Sequence, residues 1–200
     1  GRAAEMADQL TSEAVAVLIG DGLARHAGTL AAHGADRVLL AEHPSLATYH
    51  PEAYARVLAG AITQRKPWAV ILPATVNGRD LAPRVAARLE LGLTGDCIGL
   101  EVDQRERLVQ LKPAFGGNII APIRSRTLPA MATVRPGMLP RIAPIPGRQA
   151  PVERLSVTPQ ADGRLKVLDF QVTAGAAGVG MDSAEIIVGA GAGIGNRESL

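Results

Sequence analysis

The sequence predicts an α/β fold built on a largely parallel, twisted sheet with helices on both faces. Two observations lead to this prediction. Apolar runs suited to buried strands alternate three times with helical patterns between residues 14 and 89, as in successive βα units. Of the 200 residues, 47% are apolar but only 2% are aromatic, so Ala, Val, Leu and Ile must form the core. A chain of this composition can bury a real core, which excludes a disordered protein.

The first half of the chain predicts one helix followed by three strand–helix pairs. Between residues 3 and 10, apolar residues recur at i, i+3, i+4 and i+7, which gives the opening helix one buried face. The third strand is apolar throughout, as expected of a parallel strand covered on both faces. The predicted strands lie at 14–19, 37–41 and 68–72, and the helices lie at 23–33, from His50-Pro51 onward and around 81–89.

Beyond Gly92 the pattern changes to short β segments divided by Gly and Pro. They predict an antiparallel or mixed extension of the sheet, with strands at 97–102, 108–112, 119–125 and 131–135. Five prolines between 136 and 151 predict an extended connection without helix. The last two predicted strands of this part, 152–158 and 165–172, flank the turn at 160–163 and indicate a hairpin.

The segment 73–84 is the first candidate site, because it follows the third strand and open α/β sheets bind ligands at the carboxyl ends of their strands. Asn77, Gly78 and Arg79 could contact a phosphate there. Asp80 is the predicted N-cap of the next helix, which places Pro83 in the first turn. A turn that merely positions this helix explains the spacing equally well.

Two further runs are distinctive, Gly116-Gly117-Asn118 and Thr133-Val134-Arg135-Pro136-Gly137. The first is a natural tight turn. Arg124, Arg126 and Arg135 could bind an anion or pair with acidic residues, and a turn with surface arginines is the favoured interpretation.

No catalytic or metal site is predicted. The histidines at 26, 33, 43 and 50 match no metal-binding spacing and are expected to be solvated or to cap helices. Cys97 has no nearby base in the sequence and is expected to be a buried thiol. No serine lies in a G-x-S-x-G elbow.

Charge and hydropathy exclude several kinds of partner. The 21 basic and 19 acidic residues are spread along the chain, so nucleic acid is not an expected ligand. No apolar stretch approaches the roughly 20 residues that a membrane span needs. The single cysteine and the start of the chain, which lacks the pattern of a signal peptide, predict an intracellular location.

The two ends of the sequence suggest an interior piece of a longer protein. The chain opens in a helical pattern, where a βα protein normally has a strand first. Near the other end, a predicted buried strand at 185–188 runs into a loop with Gly at 189, 191, 193 and 195. A strand that enters a glycine-rich loop is half of a nucleotide-binding unit. A plain glycine-rich linker is the alternative.

Four segments together resemble the alpha subunit of the electron-transfer flavoproteins, the FixB family. They agree with that family in order and spacing over essentially all 200 residues. The segments are PATVNGRDLAPRVAARLELGLTGDC at 73–97, KPAFGGNIIAPIRS at 112–125, TVRPG at 133–137 and AEIIVGAGAGIGNRESL at 184–200.

The resemblance implies a fold and a division into domains. Residues 1–173 would form an α/β scaffold domain similar to the adenine-nucleotide alpha-hydrolases, and 174–182 would be a linker. Residues 183–200 would begin a Rossmann- or flavodoxin-like domain that binds FAD.

The resemblance also implies a function. The family carries electrons through FAD from acyl-CoA and related dehydrogenases, as in fatty acid beta-oxidation, to a quinone oxidoreductase or similar acceptor. Its alpha subunit forms a heterodimer with a beta subunit, which holds AMP where AMP is present. The protein would then be an electron carrier and not an enzyme, located in the cytoplasm, or in the mitochondrial matrix of a eukaryote.

The implied cofactor site is a partial FAD loop. Its residues are Gly189, Ala190, Gly191, Ala192 and Gly193. Ala192 stands where the family has an arginine that contacts the flavin, so we expect this chain alone to bind FAD weakly or not at all. Two alternatives remain open, a stand-alone adenine-nucleotide-binding module and a domain that serves only subunit interaction.

Overall fold

The computed structural model describes residues 1–157, 165, 167–169, 186–189, 191 and 193. Their contacts divide the chain into two compact units, Gly1–Val167 and Leu168–Leu200. Within the described part of the first unit, the α-helices are α1 (Arg2–Gln9), α2 (Ala27–Ala32), α3 (Pro51–Arg65) and α4 (Val76–Arg88). The strands are β1 (Val15–Gly20), β2 (Arg37–Glu42), β3 (Ala69–Pro73), β4 (Leu93–Cys97), β5 (Gly99–Val102), β6 (Leu108–Ala114), β7 (Ile119–Ile123), β8 (Ala130–Val134) and β9 (Val152–Arg154).

These strands form three sheets of three strands each. Two sheets are parallel, with the orders β1-β2-β9 and β3-β8-β4, and one is antiparallel, with the order β5-β6-β7. The predicted α/β class with parallel sheets is confirmed. The prediction for 131–135 was wrong in placement, because β8 is not part of an extension but lies between β3 and β4 as their shared parallel neighbour.

The main core lies on the two faces of β8, every residue of which is buried. Met131 points to one face and packs with Leu58 and Ile62 of α3 and with Val85 of α4. The next residue, Ala132, points to the opposite face and packs with a second cluster, because side chains alternate along a strand. That second cluster includes Met6 of α1, Cys97 of β4, Leu100 of β5 and Leu108 of β6. One face is therefore covered by helices and the other by α1 and the antiparallel sheet.

The helices begin and end largely where their sequences indicate. Met6 and Ala7 form the buried face of α1, as predicted. In α3, His50 is the N-cap and Pro51 occupies the first turn, where its missing N–H costs no hydrogen bond. The predicted helix at 23–33 is a 3₁₀ turn, Ala24–His26, followed by the short α2.

Three predicted strands differ from the structure in their extent or are not strands over their described residues. The segment 97–102 is split between β4 and β5. The segment 152–158 is a strand only over β9, which pairs with β2 in parallel. The predicted hairpin depends on residues outside the described part of the chain and stays a prediction. Of 165–172, the described residues Leu165 and 167–169 are not in a strand, and the turn at 160–163 lies outside the described residues. Pairing with β2 makes β9 the third strand of a parallel sheet.

In the second unit, the predicted strand at 185–188 was also wrong over its described residues. Ile186, Ile187 and Val188 are not in a strand, and their exposed fractions are 84%, 59% and 89%. A parallel strand needs a neighbour to satisfy its backbone groups, and none of the described strands pairs with these residues. The linker at 174–182 lies outside the described residues, so the domain boundaries stay predictions.

Candidate functional site

The candidate site follows β3 at the carboxyl edge of the β3-β8-β4 sheet. Thr75 is the N-cap of α4, and its Oγ1 accepts a hydrogen bond of 3.2 Å from the N–H of Gly78. The prediction that Asp80 caps this helix was wrong, because the chain enters the helix immediately after the strand. Pro83 therefore lies inside α4, beyond the first turn, where it removes one helical hydrogen bond.

Gly78 is a packing residue in the first turn of α4. A Cβ atom at this position would lie 1.8 Å from the carbonyl oxygen of Pro73 at the end of β3. That distance is far below van der Waals contact, so only glycine fits here without a backbone shift. The glycine lets the helix begin directly against the strand that precedes it.

Arg79 and Arg135 both bind Asp96. The Nη2 of Arg79 donates to Oδ1 of Asp96 at 3.2 Å, and Arg135 donates to both carboxylate oxygens at 3.2 and 2.6 Å. The guanidinium of Arg135, followed by the charges of Arg135, Arg79 and Lys112, holds the pKa of Asp96 below its usual range against a weaker effect of burial. We call Arg79, Asp96 and Arg135 the edge network.

The backbone at Asp96 is held in place as well. Its N–H donates to Oγ1 of Thr133 at 2.8 Å, and its φ of 59° lies in the left-handed region, which Asp and Asn adopt more readily than most residues. The edge network therefore ties the end of β4 to the end of β8 and to the first turns of α4.

Asp80 makes a second set of contacts on the same helix. It accepts a hydrogen bond of 2.7 Å from the hydroxyl of Tyr49 and contacts Nε of Arg84 at 3.0 and 3.1 Å. Burial, and then the hydrogen bond to Asp80, raises the pKa of Tyr49. Glu52 of α3 bonds Arg88 at 2.8 Å and lies 3.6 Å from Arg84. These contacts join α4 to α3 and to the loop before it.

The structure thus gives internal partners to most residues predicted to contact a phosphate. Gly78 packs on the backbone of Pro73, Arg79 binds Asp96, and Asn77 is exposed in the first turn of α4. Sequence reasoning missed Thr75, Asp96 and Tyr49. Thr75 precedes a helical pattern and is itself a good N-cap residue, which was an available signal.

The second candidate, Gly116-Gly117-Asn118, forms the tip between β6 and β7. Gly116 and Gly117 have φ values of 70° and 93°, which glycine adopts readily, so the predicted tight turn is confirmed. Arg124 pairs with Asp103 at 3.5 Å, in agreement with the interpretation of a surface arginine.

The glycine loop at 189–193 is described only at Gly189, Gly191 and Gly193, and the predicted Ala190 and Ala192 lie outside the described residues. A Cβ atom at any of the three glycines would meet nothing within 4 Å. The predicted FAD loop therefore stays a prediction.

The other chemistry-bearing residues have structural roles. His43 and His50 accept hydrogen bonds from the N–H groups of Ser45 and Ala53, so both cap helical turns as expected. Cys97 is fully buried, and burial raises the pKa of its thiol. In the part of the chain that the structure describes, no group of acidic, His and Cys residues could hold a metal ion, and no helix is long and apolar enough to cross a membrane.

Comparison with known proteins places these features in a family. A family model described as electron transfer flavoprotein domain matches residues 1–160. The chain belongs to the electron transfer flavoprotein domain family. The resemblance carried by segments 73–97, 112–125 and 133–137 is therefore confirmed, since all three lie within the matched range.

Individual relatives of this electron transfer flavoprotein domain protein extend the similarity over the whole chain. An electron transfer flavoprotein subunit alpha from Clostridium acetobutylicum is 39% identical over 207 residues, which cover 100% of this chain and 61% of the relative. A protein FixB from Clostridium saccharobutylicum is 39% identical over 203 residues, covering 100% and 60%. The lactate dehydrogenase (NAD(+),ferredoxin) subunit LctC from Acetobacterium woodii is 43% identical over 136 residues, covering 68% and 32%. The chain thus spans about three fifths of the length of the first two relatives.

Proposed function

We propose that this chain is the scaffold and subunit-interaction part of an electron transfer flavoprotein alpha subunit of the FixB type. In this proposal the protein forms a heterodimer with a beta subunit. It carries electrons through FAD from acyl-CoA or related dehydrogenases to a quinone oxidoreductase or similar acceptor, and it is a carrier and not an enzyme. Support comes from the family match over 1–160 and from relatives named as alpha subunits and FixB.

The edge network carries the scaffold part of the proposal. Arg79 and Arg135 come from two different family-like segments, yet both bind the same carboxylate, Asp96. The neighbouring Asp80 accepts hydrogen bonds from Tyr49 and Arg84. Residues that could have faced a phosphate at this edge instead hold strands and helices together.

For FAD, we propose that the flavin is held mainly outside the described residues. The proposed division is a scaffold at 1–173, a linker at 174–182 and the beginning of the FAD domain at 183–200, with a cytoplasmic location. The 200-residue chain should therefore purify with much less than one flavin per chain, measured by flavin absorbance against protein concentration. A stoichiometric flavin content would contradict this.

A stand-alone adenine-nucleotide-binding module is the competing function. It needs a phosphate site at the carboxyl edge of the parallel strands. The internal partners of Arg79 and Asp80 favour the scaffold over this alternative.

The proposed function is tested by mixing the chain with the electron transfer flavoprotein beta subunit of the same source. Size-exclusion chromatography with light scattering should show a complex of one chain with one beta subunit. A flavodoxin of similar size serves as the negative control. Separate elution of chain and beta subunit, as in the control, would contradict the proposal.

A further inference from the structure

A cavity of about 800 Å³ lies at the carboxyl edge of the β1-β2-β9 sheet. Its walls are the loop that follows β2, one side of α3 and the backbone that continues beyond β9. Open α/β sheets bind ligands at this edge, and small-molecule sites usually have volumes of roughly 300–1,000 Å³. The edge of this sheet therefore has both the position and the room for a ligand.

The walls of the cavity are mostly apolar. Leu165 and Val167 line it and are 47% and 41% exposed, so they present apolar surface to water. An apolar ligand in the cavity would cover that surface, which favours binding. The larger apolar side chains of the lining are Leu46, Val57, Leu155, Val157, Leu165 and Val167.

The cavity extends along α3. Four lining residues of this helix, Ala53, Val57, Gly60 and Gln64, recur at intervals of three or four positions and so form one stripe. At a rise of about 1.5 Å per residue, the stripe is roughly 16 Å long. A Cβ atom at Gly60 would meet nothing within 4 Å, so the stripe has free space above it. A groove of this length fits an extended aliphatic chain.

The charged groups at the cavity are mainly basic. Arg56 and Arg154 line it. Among the described lining residues, Glu153 is the one acid, and Arg65 binds its carboxylate. Arg154 contacts Glu42 at 2.8 Å, but its side chain is 68% exposed and a guanidinium has five N–H donors. Arg154 can therefore bind a second carboxylate beside Glu42.

These features distinguish between classes of ligand. The two arginines disfavour a cation. No aromatic side chain lines the cavity among the described residues, so a planar ring has nothing to stack on. An apolar chain that carries one negative charge matches both the walls and the arginines.

We infer that this cavity is a binding site for a straight-chain aliphatic carboxylate, with the chain along the stripe of α3 and the carboxylate on Arg154. The site goes beyond the proposed function and does not depend on it. Binding and electron transport can therefore fail separately in experiments.

The first experiment compares decanoate with decanol, each titrated by calorimetry against the 200-residue chain below the concentration at which decanoate forms micelles. We expect one decanoate per chain, bound about tenfold more tightly than decanol because a hydrogen bond to a charged group is the stronger one. Octanoate, which buries two methylene groups fewer, should bind roughly tenfold more weakly than decanoate.

The role of Arg154 is tested with Arg154→Gln and the matched control Arg37→Gln. Arg37 belongs to the same sheet and is also bound to a carboxylate, Glu13, at 3.2 Å, but it lies at the start of β2, away from the cavity. Arg154→Gln should weaken decanoate binding about tenfold and leave decanol binding within about twofold. Arg37→Gln should leave both within about twofold.

The location is tested by filling the cavity with Gly60→Phe, for which Gly28→Phe is the control. Both glycines are exposed in helices, and a Cβ atom at either would meet nothing within 4 Å, but only Gly60 lines the cavity. Gly60→Phe should weaken decanoate binding at least about tenfold, and Gly28→Phe should not. Circular dichroism establishes that each variant folds, and Gly60→Leu replaces Gly60→Phe should that variant unfold.

Several results would overturn the inference. Equal affinity for decanoate and decanol would show that the carboxylate is not recognised. Unchanged binding by the Gly60 variant would place the ligand elsewhere. The absence of saturable binding, or uptake of decanoate only as micelles, would mean that the cavity holds an adventitious additive only.

Discussion

The sequence around Gly78 suggests ligand binding. In the structure, this glycine is required for packing. A methyl group at this position meets the carbonyl oxygen of Pro73 at 1.8 Å, and that oxygen belongs to backbone at the end of a buried strand. We predict that Gly78→Ala lowers the free energy of unfolding by roughly 1–3 kcal/mol, the usual cost of forced overpacking. Urea unfolding followed by circular dichroism measures this.

Gly60 provides the matched control for that substitution. It also lies within a helix, α3, but a Cβ atom there would meet nothing within 4 Å. Gly60→Ala should stabilise the chain by up to about 1 kcal/mol, because alanine has the higher helix propensity. A Gly78→Ala variant as stable as Gly60→Ala would show that the first turn of α4 does not need its glycine.

Asp96 gives the edge network a dependence on pH. Its pKa is lowered in the folded chain, so the ion pair stabilises the fold above the usual pKa of about 4 and this stabilisation is lost as the pH falls through the lowered value. Asp96→Asn keeps the side-chain shape and tolerates the positive φ, but it removes the charge.

At pH 7 the Asp96→Asn variant should therefore be less stable by roughly 0.5 kcal/mol, a size typical of exposed ion pairs. Unfolding measured from pH 7 to pH 3 should show a constant difference down to about pH 5 and a shrinking one below about pH 4. A difference that is independent of pH over this range would mean that Asp96 acts through its shape and not through its charge.

At the scale of elements, α4 is fixed at its start by Thr75. The hydroxyl of Thr75 accepts the N–H of Gly78, which would otherwise lack a helical partner. Thr75→Ala should lower the free energy of unfolding by about 1 kcal/mol, and Thr75→Ser, which keeps the hydroxyl, should cost much less. Thermal unfolding of the two variants measures this, and equal losses would rule out the hydroxyl as the cause.

The elements also show what the sequence could predict. The buried faces of α1 and α3 and the first three strands follow from local periodicity, which is visible in a short window. The central place of β8 could not be predicted in this way, because pairing between β3, β8 and β4 is decided by contacts distant in sequence. The same is true of the edge network, whose members lie 17 and 39 residues apart.

The local sequence offers two good candidates for the N-cap of α4. Thr75 and Asp80 are both favourable N-cap residues, and the motif alone does not choose between them. Gly78 permits the earlier start at Thr75, because any side chain there would collide with the backbone of Pro73. The carboxylate of Asp80, which the sequence predicts as the cap, instead accepts a hydrogen bond from the hydroxyl of Tyr49.

At the scale of the whole molecule, the first unit is an α/β unit whose core consists mainly of aliphatic residues on both faces of β8. Its distinctive motifs join strands and helices at the carboxyl edge of the β3-β8-β4 sheet. Its largest exposed apolar side chains on a regular sheet lie on β5-β6-β7, within the part of the chain that the structure describes. The polar side chains at the carboxyl edge are therefore bound to one another, and we expect no nucleotide pocket there.

The most direct test of this account is a calorimetric titration of the 200-residue chain with ATP and with AMP. A scaffold whose arginines and carboxylates are bound to one another predicts no saturable heat with either nucleotide, at concentrations up to about 1 mM, where even weak sites with binding energies near −4 kcal/mol would respond. Saturable, tight binding of one nucleotide per chain would contradict the account and establish the nucleotide-binding module instead.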